Sequence, residues 1–115
     1  TYANEAKVDV LGVPQTMLEA HGAVHEETAK AMAAGARRVA GATYGLATSG
    51  IAGPTGGTKD KPVGTVCIGL ATPEGTTGHR FHFWFGSRSR HKQMFAAAAL
   101  DVLRRELLSI DALRF

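Results

Sequence analysis

The stretch VGTVCIGLATPEGTTGHRFHFWF, residues 63–85, decides the fold. Its first ten residues are β-branched and apolar, the composition of a strand. Its last seven alternate, with Phe81, Phe83 and Phe85 on one side and Arg80, His82 and Trp84 on the other. A period of two belongs to an extended chain. The segment PEGTTG between the runs is made of turn residues. An antiparallel hairpin follows, with strands over residues 63–72 and 79–85. A third strand is expected upstream, where residues 44–49 form a short apolar run.

Outward from these strands the pattern turns helical. Asn4 is a fair N-cap and Gly12 a stop, which predicts a helix over residues 5–11. Pro14 suits the first turn of a second short helix, ending at Gly22. Over residues 25–40, Met32, Ala36 and Val39 recur at helical spacing, Glu26 and Lys30 form an i,i+4 pair, and Arg37 and Arg38 favour the negative end of the helix dipole before Gly41. The last helix begins near Ser87 or Ser89 and turns Phe95, Ala99, Val102, Leu103 and Leu107 inward. Helices, three strands and a closing helix indicate a layered α/β domain.

Composition bounds the function. At 115 residues the chain is one domain or most of one, and 44% hydrophobic with 20% charged residues is the balance of a globular protein. A net charge of +3, spread along the chain, reads as a solvated surface rather than a nucleic-acid footprint. The single cysteine, Cys67, excludes an internal disulfide and, within an apolar run, reads as a buried and inert thiol. No signal peptide or membrane-spanning run is seen, so a cytoplasmic protein without membrane partners is expected. The chain opens on Thr1 and runs directly into structured-looking sequence.

Three places carry candidate chemistry. The first is SGIAGPTGGTKDKPVGTV, residues 49–66, with five glycines and two prolines between two strands. Such a loop lets successive N–H groups point at a ligand. Neither a Walker loop nor GxGxxG is present, and the residues alone leave a long structural turn and a binding loop equally open. The second is GSRSRHK, residues 86–92, where a helix start and Arg88, Arg90 and Lys92 suit a phosphate or carboxylate, or simply a solvated helix end. The third is TYANEAK, residues 1–7, in which a surface lysine and a partly buried tyrosine is the plain reading. The five histidines lack metal-ligand spacing, so no metal is expected.

Taken together, TYANEAK, LGVP, HGAV, SGIAGPTGGTKDKPVGTV and the basic helix start at GSR resemble the C-terminal domain of the CinA family, the competence/damage-inducible proteins that include nicotinamide-nucleotide amidases. The likeness runs over nearly the whole chain. It implies a three-layer α/β/α sandwich on a mixed five-stranded sheet with one antiparallel strand, of which residues 1–115 carry the last three strands. It also implies hydrolysis of the carboxamide of nicotinamide mononucleotide to nicotinate mononucleotide and ammonia, with no cofactor and no metal. A serine nucleophile would be assisted by Lys7 as general base and Tyr2 as its hydroxyl partner. Serine is a weak nucleophile until a neighbouring base takes its proton, and a lysine serves only where burial or nearby cations favour its neutral form.

The family's serine belongs to an ESCTGG-type motif that does not occur in these residues, so the domain is expected to lack its first strand–helix segment. Ser49 is not taken as a substitute. On this reading Ser49, Gly50, Gly53, Gly56, Gly57, Gly64, Thr65 and Arg88 are the substrate-binding set, Arg88 holding the phosphate and the glycine loop the ribose or nicotinamide side. The partner is a small mononucleotide, not a nucleic acid. An open sheet edge favours a homo-oligomer, a dimer first. The competing reading is a non-catalytic nucleotide-binding or structural fragment.

Overall fold

A computed structural model describes residues 2–113 of the chain. Seven elements follow in order: α1 (Tyr2–Asp9), α2 (Gln15–His21), α3 (Glu26–Ala40), β1 (Gly45–Gly50), β2 (Thr65–Thr72), β3 (Gly75–His82) and α4 (Arg88–Leu113). The strands form one sheet in the order β1-β2-β3, each antiparallel to its neighbour. β1 and β3 therefore run in the same direction, and β2 alone opposes them.

The sheet is covered on both sides, and β2 shows why its sequence reads as unbroken apolar. Val66, Ile68 and Leu70 pack with Phe95, Ala99 and Val102 of α4, joined by Leu46 of β1. The alternate residues of β2, Cys67 and Gly69, face α3: Cys67 Sγ lies 3.5 Å from Glu26 Oε1, and a Cβ on Gly69 would run into the carbonyl of Ala29. The absent side chain is what lets α3 lie against the sheet. The result is the expected three-layer arrangement, α3, sheet, α4.

The α3 side carries one polar group of note. Arg80 of β3 binds Glu26 through Nε and Nη2 at 2.8 and 2.7 Å. Burial, the largest single influence, would raise the Glu26 carboxyl, but the hydrogen bond from Arg80, a backbone hydrogen bond and the Arg80 charge together outweigh it and hold the group below the usual range. Burial, with the Glu26 charge adding to it, pushes the Cys67 thiol up to about 11. That thiol is fully buried, in keeping with an inert role.

Several boundaries differ from the expected ones. β3 covers residues 75–82 rather than 79–85, because the turn is shorter than PEGTTG suggests. Only Pro73 and Glu74 lie between the paired Thr72 and Gly75, and the Thr72 hydroxyl accepts from the Glu74 N–H. Thr76 and Thr77, β-branched, then extend the ladder beside Ala71 and Leu70. At its far end the chain leaves β3 after His82 to reach α4, so Phe83 packs on Phe95 while Trp84 and Phe85 are exposed. The alternation of Phe81, Phe83 and Phe85 thus does not continue as a strand face. α1 starts at Tyr2, which places Asn4 within the helix rather than at its cap. α3 is capped by His25, whose Nδ1 accepts from the Glu27 N–H, and ends on Gly41 in the left-handed conformation.

Candidate functional site

The glycine loop, residues 51–64, leaves the end of β1 and returns to the start of β2. Its neck is closed by two ladder-like bonds, Ile51 N–H to Thr65 O and Gly64 N–H to Ile51 O. Within it Thr58 and Lys61 bond to each other, and the Thr65 hydroxyl donates to Pro62 O at 2.6 Å. The peptide between Gly53 and Pro54 is cis. Gly53 has φ +84°, a conformation glycine reaches without strain. The tip, residues 54–60, is exposed.

α4 begins directly beside this loop. Ser87 caps the helix by accepting from the Arg90 N–H at 3.3 Å, and the first turn holds no acidic residue. Arg88 Nη1 donates to Gly53 O at 2.8 Å. One turn further on, the ring of His91 lies between Ala52 O at 2.8 Å and Phe85 O at 3.0 Å. Phe95 stacks on the same ring with centroids 6.0 Å apart. Gly64 fits against this group because a Cβ there would strike the carbonyl of Phe83. The glycine loop and the basic helix start, two separate candidates in the sequence, are one site here, joined by side chains that grip consecutive carbonyls of the loop.

This arrangement leaves Arg88 only partly used. Its other guanidinium N–H groups have no protein partner among the described residues, and they lie at a helix N-terminus, where backbone donors and the dipole favour an anion. A planar guanidinium fixed by one bond and free at the others is suited to a phosphate or carboxylate. The far side of the loop is tied differently, by Lys61 Nζ to His21 O at 2.9 Å, at the surface.

The remaining expected residues fall in three places. Ser49 and Gly50 are the last residues of β1, paired with Cys67 and Val66. Ser49 shares the α3 side of the sheet with Cys67, and its hydroxyl has no hydrogen-bond partner among the described residues. Gly50 lies against the ring of Phe95 on the α4 side. Gly53 and Gly64 are buried, Gly56 and Gly57 exposed, and Thr65 is buried at the loop's return. Lys7 is half-buried on α1, with its carbonyl accepting from the Val13 N–H at 3.0 Å. Its ammonium makes no hydrogen bond or ion pair among the described residues. The side chain of Tyr2 lies outside the described residues.

His91 was not singled out from the sequence, although a signal existed: it precedes Phe95, Ala99 and Val102 on the inward stripe of α4. Among the described residues no group of three His, Cys, Asp or Glu side chains converges as a metal would require. A groove of about 300 Å³ between β3 and the second half of α4 is lined by Leu70, Thr77, His79, Phe81 and Val102, and none of the expected site residues borders it.

The fold and site define an α/β domain in which a glycine-rich loop is clamped to a basic helix start. The CinA C-terminal domain family matches residues 1–107, and the chain belongs to that family. A CinA-like protein of Desulfosudis oleivorans is 66% identical over 108 residues, which are 94% of this chain and 26% of that protein. The Nicotinamide-nucleotide amidohydrolase PncC of Shewanella oneidensis is 53% identical over 109 residues, 95% of this chain and 26% of that protein. The chain thus spans about a quarter of the curated relatives it matches. Among solved structures, the competence/damage inducible protein CihA from Agrobacterium tumefaciens superposes with a TM-score of 0.85 at 37% identity, over 91% of this chain and 64% of that one.

Proposed function

We propose that the protein containing this chain hydrolyses the carboxamide of nicotinamide mononucleotide, with water consumed and nicotinate mononucleotide and ammonia released. The observation that carries the reading is the clamp of the glycine loop onto α4, which leaves Arg88 held by Gly53 O, with its other N–H groups unpartnered among the described residues, at a helix N-terminus. Membership of a family with a relative named as an amidohydrolase for this nucleotide supports the choice of substrate. In the proposal Arg88 takes the phosphate and the loop from Ser49 to Gly57, with Gly64 and Thr65, lines the ribose and nicotinamide. Lys7 acts as general base towards a serine nucleophile and Tyr2 as its proton-handling partner. No ESCTGG-type serine motif occurs in the 115 residues, so the activity is proposed for the whole protein.

The remaining parts of the proposal follow from surface and sheet. Among the described residues no helix is long and apolar enough to cross a membrane, and the reaction is assigned to the cytoplasm. Among the described residues β1 is an edge strand, and the proposal includes self-association, a homodimer first. The test is ammonia release from nicotinamide mononucleotide by the intact protein. Lys7→Met should remove nearly all turnover with the fold unchanged by circular dichroism, and Tyr2→Phe should cost on the order of 10²-fold, the size of a proton-transfer partner. Near-full kcat in Lys7→Met would remove the lysine from the mechanism.

A further inference from the structure

His91 is 3% exposed, yet both of its ring nitrogens face backbone carbonyls, Nδ1 to Ala52 O at 2.8 Å and Nε2 to Phe85 O at 3.0 Å. A carbonyl oxygen only accepts. A neutral imidazole has one N–H and one lone pair, so it satisfies one of these oxygens and sets its lone pair against the other. A doubly protonated ring donates to both. At a ring this buried, a lone pair set against a carbonyl oxygen is costly, which weights the environment towards the second form.

The charged neighbours work against that form. Arg88, Arg90 and Lys92 stand on the same first turns of α4, and a helix N-terminus disfavours a cation. From the loop, Lys61 is directed away to His21 O. From β3, His82 is paired with Thr65 and lies on the opposite face of the strand, the face of Arg80. From the core the ring of Phe95 stacks on it. No carboxylate is hydrogen-bonded to it among the described residues. Two carbonyl acceptors thus favour the ring's second proton, and the cations of the same helix start oppose it.

We propose that His91 is a pH-gated latch on the glycine loop: doubly protonated, its ring ties Ala52 to Phe85, and with one proton removed it holds only one of them. The consequence falls on the site, because Ala52 adjoins Gly53, whose carbonyl Arg88 grips. The latch sets the position of that carbonyl, and hence how Arg88 is presented. His91 is in this sense a positioning residue, and the proposal stands independently of the reaction proposed above.

The test uses the intact protein with 15N-labelled histidine and 15N-labelled backbone, titrated from about pH 5 to about pH 8, the span over which histidine changes charge. The expected result is two protonated ring nitrogens at the acid end, one at the other, and a shared midpoint in the amide shifts of Gly53, Gly64 and Phe83. His91→Gln should abolish that titration in the three amides. A ring that keeps one protonation state throughout, or one that titrates while the amides stay still, overturns the proposal. So does persistence of the amide titration in His91→Gln.

Discussion

The two faces of the sheet are built on opposite rules. Towards α4, β2 presents Val66, Ile68 and Leu70 to Phe95, Ala99 and Val102, large side chains that fill the space between the layers. Towards α3 it presents Cys67 and Gly69, and Gly45 of β1 lies against Ala33 in the same way, so the helix backbone approaches the strands directly. One face is held by volume, the other by its absence. The difference explains where the site is. The α4 face is deep enough for Phe95 to support His91 and for the loop from β1 to rest on it, whereas on the α3 face the helix backbone lies on the glycines of the strands, with Lys30 and the Glu26–Arg80 ion pair towards its edge.

The contrast can be broken by exchanging the rules. Ile68→Ala should leave a cavity beneath α4 and destabilise by about 2–5 kcal/mol, read as a lower urea midpoint with an unchanged slope. Loss below about 1 kcal/mol would mean that the α4 layer collapses easily and is no jigsaw. Gly69→Ala should cost about 1–3 kcal/mol by overpacking, since the added methyl meets the Ala29 carbonyl and no flexible side chain can yield. A neutral result there would show α3 to be free to shift.

A smaller effect sharpens the comparison at the edge of the α3 side. His25 caps α3 through Nδ1 as an acceptor, which places its proton on Nε2, and it stacks on His21 with centroids 4.2 Å apart. Burial, then the His21 charge, lowers it from the ordinary 6.5. A lowered histidine stabilises the fold above its ordinary value and loses that contribution as pH falls through the lowered one. Stability should therefore decline on acidification below 6.5. His25→Asn keeps a capping oxygen that does not titrate, and its denaturation midpoint should fall slightly less over the same range. Equal slopes in the two proteins would show that the cap does not depend on the ring's charge.

Much of the fold was legible because period and composition agree with tertiary context. The strand β2, the amphipathic α4 and the stops at Gly22 and Gly41 each follow from a local rule, although Leu107, expected on the inward face of α4, is exposed. β3 was displaced because Gly75, Thr76, Thr77 and Gly78 look like a turn and become a strand only through pairing with residues 69–72. The start of α1 escaped for the reverse reason, since Asn4 has the chemistry of a cap but lies within the helix. In the site, both glycine loop and helix start could be read as separate anion candidates. Their union could not, because Arg88 and His91 lie 35 and 39 residues from the loop carbonyls they meet. The role of Lys7 rests on family resemblance and not on any contact seen in the fold.

The most direct test of the joined site is a comparison of two substrates in one variant of the intact protein. Arg88→Ala should raise KM for nicotinamide mononucleotide by on the order of ten- to a hundredfold, about 1.4–2.8 kcal/mol. Turnover of the corresponding riboside, which lacks the phosphate, should stay nearly unchanged. Equal losses on both substrates would contradict the account, leaving Arg88 as a strut for Gly53 and the phosphate to be held elsewhere.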